Sequence, residues 1–453
     1  VLAADYLRDP FVRARIRQYL DTGAQGPSTC AWLHVRDATP EAVFRRVPVH
    51  ELDQALASGA EIERPLWDED NLLVHVDLEH VHFDRPDTTW QAPQACFEAQ
   101  RPALKALKSV LGQHGIRPLH LLSGRGHHLV WKLRRDSLVM KALQALGGRA
   151  GIRPTVPLPP PVPASLAEAF RGLGMVMEFL GHEVLRRCRE VEGPPLRLTA
   201  VEIDPGPGGR EIISLDLSEY ADPLQIRSIR VPFGPYLKPQ RLAWSRGQEG
   251  PAQQDLVAVP LAGLDEETGL ALMRDPARAA RLARRARTRI PEQTAGMQRL
   301  LHHYQGSFLA RFHAWYDSGA AVAPARLPRL PACVEGLLSP QARLLCPAGL
   351  QLVTRTLLTL GWPPRHIAQL TAARVALLTG TSRHPPLFDP TLRADFYVRL
   401  FAGLVLGGTD GLADQTCLAY QRMGYCVRSD CRGRLDDLAR SLRQRREGGW
   451  PAL

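Results

Sequence analysis

Apolar and polar positions alternate with period two over 71–83 (NLLVHVDLEHVHF), a Val-rich run that predicts a strand half-buried on one face. Leucine and valine recur at helical spacing over 97–112 (FEAQRPALKALKSVLG). Residues 118–133 (PLHLLSGRGHHLVWKL) read as two apolar strands parted by Ser-Gly-Arg-Gly, a hairpin by its turn chemistry. Upstream, 6–20 has a helical pattern, followed by a Gly/Pro/Ser loop and mixed structure to about residue 65. Downstream, a proline-rich stretch (154–163) precedes a long helical pattern (164–191), and strand-like runs return at 196–203, 211–217 and 226–232. A β-α-β-β opening with further strands predicts an α/β or α+β domain over 66–239, with 1–65 as its N-terminal part. Residues 240–329 read as a linker (240–255, rich in Gly, Pro and Gln) and Arg-rich helices (264–304), and 330–453 as a compact helical domain. No internal repeat is visible.

Length and composition extend this picture. At 453 residues and 45% hydrophobic content, two or three domains are expected. The 57 Lys and Arg exceed the 46 Asp and Glu, a formal charge of +11 that favours a polyanionic partner, nucleic acid first. Only Lys105, Lys108, Lys132, Lys141 and Lys238 are lysines, so arginine carries almost all of the positive charge. No apolar run is long enough for a bilayer and no signal-like segment opens the chain, so a soluble, cytoplasmic protein with no membrane partner is expected. The chain opens at Val1 rather than Met, which leaves room for residues upstream. Eight cysteines in this length do not resemble a secreted disulfide scaffold. Cys30, Cys96 and Cys188 are isolated, whereas Cys333, Cys346, Cys417, Cys426 and Cys431 fall in the last third.

Candidate chemistry begins in the first strand. Asp77 and Glu79 are two apart, so their carboxylates project from one face. Hard oxygen donors in such a pair hold Mg²⁺ or Mn²⁺ with positions left for phosphate oxygens; the plain alternative is the solvated face of a two-sided strand. The hairpin Ser123-Gly124-Arg125-Gly126-His127-His128-Leu129 adds glycines that let backbone N–H groups approach an anion, or is an ordinary Gly-rich turn with surface histidines. Asp216 lies in the strand-like IISLDL run, and Arg227, Arg230 and Lys238 follow it, the last two in RVPFGPYLK. Asp204, before Pro-Gly, competes with Asp216 as a third carboxylate but has the setting of a turn residue.

In these three ordered motifs the sequence resembles the archaeo-eukaryotic primase superfamily, the catalytic primase subunits and primase-polymerases. The acidic strand is Val76-Asp77-Leu78-Glu79, the histidine hairpin SGRGHHLVW and the third acidic strand Leu215-Asp216, and the resemblance covers roughly 66–239. It implies an RRM-like sheet with helices and a second small α/β unit. It also implies Asp77, Glu79 and Asp216 as carboxylates holding two Mg²⁺ or Mn²⁺ ions, and His128 rather than His127 on the incoming nucleotide's phosphates. Ser123, Arg125, Arg230 and Lys238 would line the triphosphate.

At the other end, Pro331-Ala332-Cys333 opens a helical region that Cys417, Cys426 and Cys431 close. Four thiolates suit Zn²⁺ or an iron-sulfur cluster, and the alternative is a set of buried structural cysteines. The region resembles the iron-sulfur domain of the primase large subunit, which implies an all-α domain with a [4Fe-4S] cluster on Cys333, Cys417, Cys426 and Cys431. Its implied role is to grip template and initiating nucleotide, with Arg428, Arg432, Arg434 and the 440–446 arginines near phosphates. Cys346 has the setting of a core residue at a helix start.

Together these features imply template-directed primer synthesis on single-stranded DNA from NTPs or dNTPs. A metal-dependent nuclease or phosphodiesterase, and a noncatalytic DNA-binding replication protein, remain the alternatives. No GxxxxGK[ST] run is present, so a helicase, like any further polymerase, would be a separate protein.

Overall fold

The computed structural model describes residues 4–21, 29–155, 161–206, 208–248, 255–261, 263–320, 329–339, 344, 346–379, 388–426, 431 and 434–447. The fold is mixed α and β, and its residues gather into two units. The first comprises 1–140, 213–215 and 225–298, the second 141–212, 216–224 and 299–453. These units cut across the sequence boundaries at 65, 239 and 329.

In the first unit, β1 (Trp32–Arg36), β2 (Arg45–Pro48) and β3 (Glu61–Pro65) emerge from the stretch whose pattern announced only mixed structure. They form an antiparallel sheet in the order β2-β1-β3-β9, in which β9 is Ser228–Arg230. The second sheet is built on β4 (Asn71–His82), β5 (Leu119–Ser123) and β6 (Gly126–Arg134). β4 pairs antiparallel with β6, which closes the expected hairpin with β5 through a two-residue turn at Gly124 and Arg125. The second unit supplies the two-residue β7 (Leu196–Arg197). Of β8 (Glu211–Asp216), the central residues 213–215 belong to the first unit, where the strand borders β4. β10 (Val259–Pro260) flanks β5.

Several expectations change. β4 is not half open: His75, His80 and His82 are buried along with its Val and Leu positions. One cover is the helix Pro93–Gln113, whose buried Phe97, Gln100, Leu104, Leu107 and Leu111 recur at helical spacing. The expected helix over 6–20 divides into Ala4–Arg8 and Pro10–Tyr19. Asp9 Oδ1 accepts from the amides of Phe11 (2.8 Å) and Val12 (3.1 Å), and Pro10 supplies a preset first turn. The expected linker starts as a helix, Lys238–Ser245, begun by Pro239 and seated by buried Gln240; 249–254 lie outside the described residues.

Among the Arg-rich helices expected over 264–304, Glu266–Met273 and Pro276–Ala283 form, but 286–290 does not join them. Pro291 bars the helical turn there, and Thr288 is tied by its amide to Gln18 Oε1 (2.8 Å) and by its hydroxyl to Arg15 O (2.6 Å).

The second unit is helical among its described residues apart from its strand segments. Its long helices Ala164–Arg187, Pro347–Thr359 and Pro390–Leu406 carry a core of Leu, Val and Phe. Glu178, in the middle of the first of these, is fully buried. His313 Nε2 lies 3.0 Å from its Oε2, and Arg399 Nη2 donates to its Oε1 at 2.6 Å. Burial opposes the Glu178 charge, and Arg399 with His313 nevertheless holds its pKa below the usual value. This triad ties helix Ala164–Arg187 to the helices that carry His313 and Arg399. The strand expected over 196–203 stops at Arg197, because a tight turn from Val201 N to Thr199 O (2.8 Å) takes the chain out of the ladder.

Candidate active site

The pairing of β4 with β6 sets the site's register. Asp77 stands opposite His128 and Glu79 opposite Gly126, so both carboxylates and His128 share one face of the sheet. His128 Nε2 lies 3.6 Å from Asp77 Oδ1, and the His75 ring meets the His128 ring edge-on at 4.6 Å. Burial first, then His75 and Arg230, push the His128 pKa well below its ordinary value. The imidazole is therefore neutral near pH 7, and its contact with Asp77 is polar rather than ionic. His127 faces the other way, 3.0 Å from His120 Nε2 through its Nδ1 and against the Phe97 ring.

Arg125, at the hairpin tip, donates from Nη2 to both oxygens of Glu79 at 2.5 Å. Burial opposes its charge, but Glu79, Tyr236 and Asp77 hold the guanidinium pKa above its usual range. Ser123, 5% exposed, pairs across the turn with Gly126. The two glycines serve packing rather than a left-handed turn, since neither has positive φ. A Cβ at Gly126 would lie 2.0 Å from Leu78 O, and one at Gly124 2.2 Å from the Tyr236 ring.

The RVPFGPYLK segment reaches the same group. Phe233 adopts φ +61°, a left-handed conformation costly for a bulky side chain; its amide donates to Ala258 O (2.6 Å) and its carbonyl accepts from Tyr6 Oη (3.0 Å). Beyond this bend Tyr236 packs under Arg230, whose guanidinium carbon is 4.8 Å from the ring centre. Lys238 opens its helix. Burial first, then Arg125, bring its pKa down to about 8 against the pull of Glu79 and Asp77. Arg230 is held by Glu61 and by Pro235 O (3.0 Å). Glu61 itself is fully buried and also takes Arg36 (2.8 Å) and Arg241 (2.5 Å).

Thus Asp77, Glu79, Ser123, Arg125, His128, Arg230 and Lys238 belong to one unit, and the hairpin and basic segment bring most of them to the acidic strand. Asp216 counts with the other unit, where its Oδ1 accepts from Ser218 N (2.9 Å) and Thr199 Oγ1 (3.4 Å). Asp204 meets Arg422 at 3.4 Å. Among the described residues no three of His, Cys, Asp and Glu form a metal-holding group. As donors, Asp77 and Glu79 have the hard oxygens that Mg²⁺ or Mn²⁺ requires, and Glu79 is held by Arg125. Reading the sequence missed His75, Tyr236 and Glu61 as members of this group. Tyr236 was signalled by its place in RVPFGPYLK; Glu61 had no local signal.

In the second unit Cys333 lies at the start of helix Ala332–Leu338 and Cys417 at the start of helix Cys417–Arg422. Burial first, then the neighbouring Cys426, Cys431 and Cys417, push the Cys333 thiol up to about 12. Backbone amides point at two of the sulfurs: Ala332 N to Cys431 Sγ and Leu435 N to Cys417 Sγ, both 3.3 Å. The four thiols are thus neighbours, but as placed they do not close into a group of three or more that could hold a metal ion. Cys346 is exposed at the N-cap of helix Pro347–Thr359 rather than in the core, because its extended backbone turns it away before the helix begins. Arg434, Arg440, Arg443 and Arg445 are exposed, and Arg446 donates to Asp410 O (2.9 Å); Arg428 and Arg432 lie outside the described residues. No helix among the described residues is long and apolar enough to cross a membrane. No protein-family model, curated protein or solved structure matches the chain.

Proposed function

We propose that the chain is a template-directed nucleotidyl transferase of the primase-polymerase kind, which starts new strands on single-stranded DNA. The observation that carries the reading is the cross-strand placement of Asp77 and His128 on one sheet face, with Glu79, Arg125 and Lys238 beside them. Acidic, neutral-imidazole and cationic groups so placed meet the needs of a nucleoside triphosphate: carboxylates for its divalent ion, and donors for its phosphates.

Asp77 and Glu79 would hold Mg²⁺ or Mn²⁺, which when bound assists deprotonation of the attacking 3′ hydroxyl and offsets charge on the departing pyrophosphate. The chain's own residues do the rest. Neutral His128 offers one N–H to a phosphate oxygen without the cost of burying a second cation. Arg125, at the hairpin tip beside Glu79, would offer its donors to the triphosphate. Lys238 adds a charge at the mouth of its helix, where the backbone N–H groups also favour an anion. Cys333, Cys417, Cys426 and Cys431 would hold the cluster, a fixed support for the start of the strand.

The test is primer synthesis by full-length protein on primer-free single-stranded DNA with all NTPs and dNTPs and Mn²⁺ or Mg²⁺, products resolved by length. Short strands that vanish in Asp77→Asn support the reading. No strand from protein with its cysteine-bound metal intact would overturn it, and breakdown of the template without nucleotides would assign hydrolysis instead.

A further inference from the structure

We infer that residues 278–289 form a docking ladder for the phosphodiester backbone of a single-stranded nucleic acid, outside the candidate active site. Arg278, Arg281, Arg284, Arg285, Arg287 and Arg289 are all exposed, and no acidic residue falls between Asp275 and Glu292. This run alone carries a large part of the chain's excess of positive charge. None of the six side chains has an ion pair or side-chain hydrogen bond among the described residues; Arg284 only lies over the Phe11 ring at 5.4 Å. Other arginines of the same unit behave differently. Arg17, Arg36, Arg64, Arg101, Arg125 and Arg246 each grip a carboxylate.

The backbone beneath the ladder is fixed without help from the arginines. From Arg285 to Ile290 exposure alternates strictly: Arg285, Arg287 and Arg289 face solvent while Ala286, Thr288 and Ile290 are buried. Thr288 is pinned to Gln18 and to Arg15 O, and the far end is pinned where Lys132 N donates to Pro291 O (2.9 Å) and Gln293 N to Lys132 O (3.0 Å). Successive same-face residues of an extended chain stand about 6.5 Å apart. That is close to the step between neighbouring phosphates on an extended strand, so Arg287 and Arg289 suit two phosphates in line, with Arg285 in the helix-ending turn just before them. Guanidinium forks bind phosphate oxygens in pairs and give up their water readily. A firm frame bearing one run of uncommitted arginines, with no carboxylate among them, is the arrangement a linear polyanion needs.

The inference rests on the proposed function only in naming nucleic acid as the polyanion, and its test needs neither nucleotide nor divalent ion. Binding of a fluorescent oligo(dT) to the full chain is measured by anisotropy over a salt series. The proteins compared are the unaltered chain, the ladder triple Arg285→Gln/Arg287→Gln/Arg289→Gln, the same positions changed to Lys, and a charge-matched triple Arg153→Gln/Arg189→Gln/Arg329→Gln at exposed sites elsewhere. Loss of three phosphate contacts should lower the slope of log K against log salt by about 2 and weaken low-salt binding about tenfold or more. The Lys triple should keep the slope, and the charge-matched triple should keep both slope and affinity. Equal weakening in the two Gln triples would reduce the effect to net charge and overturn the ladder. So would unchanged binding by a ladder triple that melts like the unaltered chain, or capture of anionic vesicles but no oligo(dT). A protein that binds through the ladder but makes no strand would sink the catalytic reading and leave this one standing.

Discussion

Glu61→Gln tests whether the basic segment at the site is stapled by one buried carboxylate. Glu61 is 0% exposed and is met by Arg36, Arg230 and Arg241. Burial alone would raise its pKa, but Arg230, Arg241 and Arg36 outweigh it and bring the carboxyl down to about 2 from 4.5. That difference of about 2.5 units corresponds to about 3 kcal/mol of coupling. Since the folded pKa is the lower one, this stability is fully present above about pH 4.5 and is lost as pH falls through about 2. The amide keeps the shape but takes the paired carboxylate from Arg36 and Arg241 and leaves Arg230 only Glu63 at 3.7 Å, a loss of about 3–5 kcal/mol near neutrality. Hydrogen exchange at the β3 amides reads this sheet apart from the second unit. The expected result is a difference between Glu61→Gln and the unaltered chain of about 3 kcal/mol or more at pH 6, closing between pH 4.5 and 2. Under the proposed function the Michaelis constant for nucleotide should also rise, because Arg230 loses its carboxylate anchor. A difference under about 1 kcal/mol, or one that stays constant down to pH 2, refutes the argument.

Gly126→Ala should destabilise the first unit by about 3 kcal/mol or more, since its Cβ meets backbone, Leu78 O and Glu79 Cα, which cannot move without breaking the β4–β6 ladder; thermal melts check this. Gly124→Ala meets only the Tyr236 ring, so it should melt nearer the unaltered chain while lowering nucleotide affinity. Protein prepared without oxygen should carry about four irons per chain and lose them in Cys333→Ser and Cys417→Ser; one zinc and no iron would reassign the metal. Glu178→Gln should cost about 1.5–3 kcal/mol in the second unit, read by urea unfolding of the full chain, because buried Arg399 loses one of its two carboxylates and keeps only Asp395 (2.6 Å).

Local pattern settled a good deal of this protein. Period-two alternation and a Ser-Gly-Arg-Gly turn suffice for β4 and the β5–β6 hairpin, because side-chain direction and turn chemistry act over a few residues. Helical spacing was enough for Pro93–Gln113 and for the helical character of the C-terminal part. The same pattern misled wherever burial depended on a distant partner. The polar positions of β4 looked solvated, yet His75 and His80 are covered, and Cys346 looked like core yet is exposed. The meeting of Asp77 with His128 follows from strand register, and that of Glu61 with Arg36, Arg230 and Arg241 from a sheet joining chain segments far apart. Glu178 finds His313 and Arg399 only through helix packing. Periodicity records what each residue prefers, buried or wet; it carries no record of which residue, a hundred or more positions away, will stand opposite, and for charged groups that partner decides whether burial is affordable.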